Sequence, residues 1–320
     1  MKQQNDIMVS VCIVTYNQES WIRNTLDSIL AQQTEYPFEI IIGEDHGTDG
    51  TRAICQNYAD KYENVTLLPS KKNLGVTANW IQCVRAGKGK YIMTCAGDDW
   101  WHNPNKIQMQ VDYMEIHPEC VLLHTDYDCI NDNTGEICHN YNASKDIVPP
   151  STDQQMAIRG GKLIISPLTS CIRRDTMERY VPMDKFIELD FPREDWPTYL
   201  ILSAHGEMHY VSVSTATYRV GQESITNTRN YDKIRKRYEQ DKRMTEYLYA
   251  LFPEWGVFKD GPWFDKQVNH ALLMAAYDNN DYKSACKFRK LDRTHSLAKK
   301  MAYTWLTFQI YRNRRGHREQ

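Results

Sequence analysis

Between Met8 and Asp126 the chain alternates short, β-rich apolar runs with longer stretches of helical periodicity, and this alternation limits the possible folds more than any single residue does. The runs Val9–Thr15, Glu39–Gly43, Val65–Leu68, Lys90–Cys95 and Val121–Thr125 predict strands. Between them, Trp21–Gln32, Asp49–Tyr62, Val76–Ala86 and Pro104–His117 predict helices. Parallel strands need such crossovers, because a tight turn only reverses the chain. The expectation is therefore an α/β fold, a Rossmann-like and mainly parallel sheet sandwiched by helices.

In open sheets of this kind ligands bind in the crevice beyond the carboxyl ends of the strands. The residues at those ends are Tyr16-Asn17-Gln18-Glu19, Glu44-Asp45-His46-Gly47 and Gly97-Asp98-Asp99. Three polar, acid-rich ends thus converge on one edge. Adjacent carboxylates place two like charges at one point, which is costly unless a divalent cation or a polar ligand compensates them. A metal-bound phosphate is the natural tenant of Asp98-Asp99. Taken alone, Gly-Asp-Asp is also an ordinary solvated turn. Its weight comes from the strand ends around it.

Composition narrows the class. The 320 residues are 41% hydrophobic and 25% charged, the profile of a globular chain rather than a disordered one. The nine cysteines are scattered with no Cys-x-x-Cys pair, which fits reduced cytosolic thiols and indicates neither a disulfide framework nor a zinc motif. The polar start Met1–Asp6 and the short apolar run after it suit a first buried strand, not a signal peptide or a membrane span. Residues 283–320 carry 11 Lys/Arg against 2 Asp/Glu, a net +9, leaving 28 against 39, or −11, for the rest. A basic tail follows an acidic body. No Gly-x-Gly-x-x-Gly follows the first strand, and the acidic body offers no basic groove, so dehydrogenase and nucleic-acid-binding readings fall away.

Beyond Asp126 a β-hairpin is expected, with Asp132-Asn133-Thr134-Gly135 turning between Tyr127–Ile130 and Glu136–His139. The Leu163–Arg173 segment follows a Pro149-Pro150 loop and leads into a helix after Arg174-Asp175. Glu194-Asp195 opens an apolar helix to Ala204, and a last strand spans Tyr210–Tyr218. Two domains are expected, 1–226 and a helical 227–320 with helices Tyr231–Leu251, Phe264–Tyr277, Tyr282–Leu291 and Leu297–Tyr311. On the last helix Leu297, Met301, Trp305 and Phe308 share a face, while Lys299, Lys300, Arg312, Arg314, Arg315 and Arg318 crowd its ends. Two readings stay open: peripheral contact with an anionic membrane on its inner, cytoplasmic side, or docking on the helical appendage.

The ordered motifs Val9-Ser10-Val11-Cys12-Ile13-Val14-Thr15-Tyr16-Asn17, Gly43-Glu44-Asp45-His46-Gly47-Thr48-Asp49-Gly50-Thr51 and Gly97-Asp98-Asp99 closely resemble the family 2 glycosyltransferases of GT-A fold. The resemblance runs to about Thr226. It implies an inverting transfer of one sugar from a nucleotide-diphosphate sugar, UDP favoured, to a hydroxyl of a glycan or lipid-linked glycan. Surface polysaccharide or lipopolysaccharide assembly is the setting it suggests. It implies that Thr15, Tyr16 and Glu19 surround the base and ribose, that Asp45 meets a uracil-type edge, and that Asn73 belongs to a donor-contacting loop. It implies further that Asp98 touches ribose or a metal-bound water and that Asp99 ligates the metal. Oxygen-only ligation points to Mn²⁺ or Mg²⁺, and no Cys/His cluster in the sequence suits a softer ion. Lys72 and Arg219 are candidate diphosphate contacts, the latter on a lid with Tyr218, Ser224 and Thr226 after the last strand. Trp100 is a candidate floor for a sugar or base, Trp101 sharing that role or packing in the core.

Glu194-Asp195 resembles the family's catalytic acid pair, with Asp195 as the base that deprotonates the attacking hydroxyl. The same pair also suits the positive end of a helix dipole. His46-Gly47 and Glu44 depart from the common family pattern and leave the choice of base open. The chain lacks the Gln-x-x-Arg-Trp pattern of processive synthases, which favours single addition. Two competing classes are a non-catalytic nucleotide-sugar or glycan-binding protein, and a nucleotidyltransferase. The latter usually carries a Gly-rich basic loop after the first strand, and Thr15–Glu19 has none.

Overall fold

Strands β1 (Val9–Thr15), β2 (Phe38–Glu44), β3 (Val65–Leu67) and β4 (Tyr91–Ala96) run parallel in the order β3-β2-β1-β4 in the computed structural model, which describes residues 7–146, 158, 165–221, 228–256, 261–291, 303, 306 and 307. The crossovers are α1 (Ile22–Leu30), α2 (Thr51–Lys61) and α3 (Val76–Ala86). β1 is buried on both faces, which is why Val9-Ser10-Val11-Cys12-Ile13 reads as a continuous run instead of an alternating one. α1 instead buries one stripe, Ile22, Leu26 and Ile29, against the core that Val11, Ile13, Ile40, Ile42 and Met93 supply from the sheet. Each such side chain contributes about 1.5–3 kcal/mol of burial.

The second half departs from the expected alternation. After α4 (Lys106–Ile116), β5 spans Cys120–Asn131 as one strand, where the sequence suggested a strand and a separate hairpin arm. The break read at Asp126 is filled by tertiary contacts: its buried carboxylate accepts N–H groups of Tyr127, Asn142 and Ala143 and the Tyr210 hydroxyl. Those donors include the start of α5 (Tyr141–Ser144). The hairpin's return arm, β6 (Ile137–Cys138), is only two residues long. β7 (Cys171–Arg173) is short and inserts antiparallel between β4 and β5, while β8 (Glu207–Val220) lies parallel to β5. α6 (Arg174–Tyr180), α7 (Met183–Glu188) and α8 (Asp195–Leu202) lie between β7 and β8.

Lys106 is wholly buried. Its ammonium donates to Gln110 Oε1 at 2.6 Å, Thr215 Oγ1 at 3.2 Å and the Thr169 carbonyl at 3.3 Å, and burial pushes its pKa down to about 7.

The chain forms two compact units, residues 1–188 with 192–221, and residues 189–191 with 222–320. The second contains α9 (Tyr231–Leu251), α10 (Gly261–Asp278) and α11 (Tyr282–Leu291) around Ile234, Leu272, Leu273, Ala276, Ala285 and Phe288. Asn230 caps α9 by accepting the N–H groups of Asp232 and Lys233 at 3.0 Å. Of the expected last helix only Tyr303, Leu306 and Thr307 are described. Thr307 is buried, and Tyr277 donates its hydroxyl to the Tyr303 carbonyl at 2.9 Å. The apolar face Leu297, Met301, Trp305 and Phe308 and the basic ends lie outside the described residues. No helix of the described residues is long and apolar enough to cross a membrane.

Candidate active site

The carboxyl ends of β1 and β4 close on each other because Gly97 has no side chain. A Cβ there would collide with Thr15 Oγ1 and Gln18 Oε1. Thr15, buried, donates to Gln18 Oε1 at 2.8 Å, and Gln18 in turn bonds the Asp98 carboxylate. Beyond Thr15 the chain turns through Asn17 at φ +53°, and Asn17 Oδ1 accepts the Thr48 N–H at 2.7 Å. Glu19 accepts the Gly50 N–H at 2.8 Å, while its own N–H donates to Asp49 at 3.0 Å. Tyr16 stands 48% exposed beside these tied loops.

Asp45, buried after β2, has a backbone N–H on each oxygen: Leu74 at 2.7 Å and Gly75 at 2.9 Å. Asn73 adds an amide donor to the Asp45 carbonyl at 3.0 Å. Asp45 thus organises the 73–75 loop, whose Gly75 needs φ +82°. Each carboxylate oxygen keeps a lone pair for one further donor. Lys72 is exposed just before that loop.

Asp98 and Asp99 follow β4. Burial pushes the Asp99 pKa well above the ordinary carboxylate value, and the Asp98 charge adds to the shift. Burial also raises Asp98. Asp99 Oδ1 accepts the Arg219 backbone N–H at 2.9 Å, and no donor among the described residues reaches Oδ2. A half-buried and a buried carboxylate side by side, the buried one with an open oxygen, fit a hard divalent cation. Mg²⁺ or Mn²⁺ is held in this way, by one or two carboxylates with the remaining positions left to phosphate oxygens and water.

Arg219 lies within β8, not on a lid after it, and Ser224 and Thr226 lie outside the described residues. Its guanidinium pairs with Asp132, donates to the Asp98 carbonyl at 3.2 Å, and stands 3.8 Å from the Trp21 ring centroid and 5.1 Å from that of Trp100. A cation on two aromatic faces is held in place by ring quadrupoles as well as by charge. Trp100 is further fixed by its bridge to Thr217 on β8, whereas Trp101 packs in the core.

The second acid pair opens α8. Glu194 is buried, which lifts its pKa to about 8, and the Asp195 charge contributes to that lift. Asp195 is half-buried, raised by burial and restrained by the Trp196 N–H, which donates to its Oδ1 at 2.7 Å. The pair as a whole is thus held toward its protonated form, with Glu194 the more strongly buried of the two. Tyr218 feels charge from both pairs. Burial raises its pKa, and the charges of Asp99, Asp98 and Asp195 raise it further, so its hydroxyl lies within the field of all three. Trp21, Asp132 and this placement of Tyr218 were invisible in the sequence, because no spacing rule links residue 21 or 132 to residue 219.

The chain belongs to glycosyl transferase family 2, whose model matches residues 10–181, more than half of it. Among individual relatives it is 27% identical over 250 residues, 78% of this chain and 92% of the other, to TuaG of Bacillus subtilis strain 168, whose name assigns it to teichuronic acid biosynthesis as a glycosyltransferase. It is 41% identical over 115 residues to the uncharacterized Mycobacterium tuberculosis protein Rv1520, a match that takes in 36% of this chain and about a third, 33%, of that relative's length. Among solved structures, S. aureus TarS 1-349 in complex with UDP-GlcNAc superposes with a TM-score of 0.50 at 16% identity over 96% of this chain and 92% of that one. Mannosyltransferase PcManGT from Pyrobaculum calidifontis, in complex with GDP-Man and Mn²⁺, gives a TM-score of 0.50 at 16% identity over 93% and 85%. At that identity the likeness is one of fold, and the fold is GT-A.

Proposed function

We propose that this chain transfers a single sugar, with inversion, from a UDP-sugar to a hydroxyl of a glycan acceptor in the assembly of a surface polysaccharide. The observation that carries the reading is the acid pair that ends β4, with Asp99 buried and one of its carboxylate oxygens open, together with the second pair Glu194-Asp195, whose Asp195 charge acts on Tyr218 as those of Asp98 and Asp99 do. In this reading Thr15, Tyr16, Glu19, Asp45, Asn73 and Asp98 hold the nucleotide and Asp99 holds the metal. The polysaccharide setting is supported by the name of TuaG and by a 32% match over 108 residues to the poly(ribitol-phosphate) beta-glucosyltransferase of Bacillus spizizenii. The UDP preference is supported by the ligand in the TarS complex, against which stands the GDP-Man of PcManGT.

The chemistry asked of these residues is one displacement. The acceptor oxygen attacks the anomeric carbon as the bond from that carbon to the diphosphate oxygen breaks, and the hydroxyl proton passes to Asp195. Asp99 would hold a divalent ion, which when bound would supply positive charge to the departing diphosphate. In this reading Arg219 and Trp100, 5.1 Å apart from guanidinium carbon to ring centroid, border that leaving group and the sugar, and exposed Lys72 offers a further cation.

The test is calorimetric titration with UDP, GDP and dTDP, with and without Mn²⁺, on the native chain and on Asp99→Ala. Metal-dependent UDP binding that the variant loses is the expected result. Binding of no diphosphate with any metal would reduce the site to a fold without the activity.

A further inference from the structure

At the amino edge of the β5–β8 pair, the opposite end of the sheet from the acid pairs, two histidines and a glutamate face one another. His117 caps α4, Glu119 precedes β5, and His209 lies near the start of β8. One ligand atom from each lies within 4.8 Å of the other two. We propose that His117, Glu119 and His209 form a binding site for a divalent transition-metal ion of the zinc class, separate from the carboxylate edge.

The donor set selects the ion. Two imidazole nitrogens with one carboxylate suit Zn²⁺, whereas Mg²⁺ and Ca²⁺ prefer oxygen alone. Ligands of one tetrahedral zinc sit about 3.4 Å apart, so drawing these atoms together takes only a small movement of side chains. His117 Nδ1 is already 2.9 Å from Glu119 Oε1. The supports around the ligands are also built. The Tyr113 hydroxyl lies 3.0 Å from His209 Nδ1 and orients that ring, and an ion at Nε2 takes the place of the proton that Nε2 shares with Glu207. The Tyr113 ring stacks on His117 with centroids 4.3 Å apart, holding that imidazole in place. Glu207 lies 2.8 Å from His209 Nε2 and is the nearest further carboxylate, with water as the other candidate for a fourth ligand.

Backbone bonds pin the frame. The Glu207 N–H donates to the Glu119 carbonyl and the Cys120 N–H to the His117 carbonyl, both at 3.0 Å. An ion here joins the end of α4 and the start of β5 to β8, elements the sequence places about ninety residues apart. Its effect is on stability, by binding the folded state only.

The test uses the full chain, stripped with a chelator and dialysed against ZnCl₂ in excess Mg²⁺, so that oxygen-only sites are occupied by magnesium. Metal analysis is expected to find one zinc retained per chain, with Tm raised by about 3–6 °C. His209→Gln and Glu119→Gln should each lose that zinc and the shift, whereas Asp99→Ala should keep both. Glu119 is 44% exposed in its side chain, so its variant folds even where a histidine variant does not. No retained zinc, or zinc retained equally by Glu119→Gln, would overturn the proposal, as would loss of the zinc in Asp99→Ala.

Discussion

With its pKa lifted to about 8 by burial and by the Asp195 charge, Glu194 makes stability depend on pH in a definite direction. A carboxyl whose folded pKa lies above its ordinary 4.5 stabilises the fold fully below 4.5 and loses that contribution as pH rises through 8. Glu194→Gln removes the titration. Relative to the native chain the variant should gain about 1–3 kcal/mol between pH 5 and pH 9, read by chemical denaturation at both. An unchanged difference would mean that Glu194 is charged in the fold at neutral pH. Asp195→Asn tests the neighbouring role. Turnover should fall about 10²–10⁴-fold with UDP affinity kept, since a general base contributes to the transition state and little to nucleotide binding. Undiminished turnover would remove Asp195 from the chemistry.

Elements carry the site only where they are tied together. Asp45 holds the 73–75 loop by two backbone N–H groups, so Asp45→Ala should cost about 1–3 kcal/mol and speed amide exchange at Leu74 and Gly75. Slow exchange there in the variant would show that the loop is ordered by something else. Gly97→Ala should cost about 1–3 kcal/mol and weaken nucleotide binding, because a Cβ forces Thr15 and Gln18 away from the end of β4. β1 to β4 and their helices were legible to within a few residues, since each is a single periodic segment. α3 runs from Val76 to Ala86 as expected. β7 was not recognised as a strand, being three residues long with its pairing set by β4 and β5. β5 was cut short at Asp126, because a carboxylate inside a strand reads as a break until its donors from Asn142, Ala143 and Tyr210 are seen.

Across the first unit Lys106 joins α4 to β8 and the turn before β7 through its one buried side-chain nitrogen. With its pKa near 7 instead of the ordinary 10.5, it is protonated in the unfolded chain and neutral in the fold between those values, so its contribution rises with pH across that window. The native chain should therefore gain stability over Lys106→Met from pH 7 to pH 9, since removing Lys106 can only raise Cys95 and Cys171 further and burial keeps both thiols protonated in either fold over that window. A flat difference would mean that Lys106 stays charged in the core. At this scale the limits of the sequence are plain. Hydrophobic period pointed to the α/β class and the ordered strand-end motifs to the family and to Asp98-Asp99, because those signals lie in neighbouring residues, whereas Glu194-Asp195 was reached only through the family resemblance. Arg219 between Trp21 and Trp100, Tyr218 in the field of three carboxylates, and His209 beside His117 were decided only by the tertiary structure. Each depends on which strands lie side by side, and strand order is set by packing and pairing over long separations that no local pattern records.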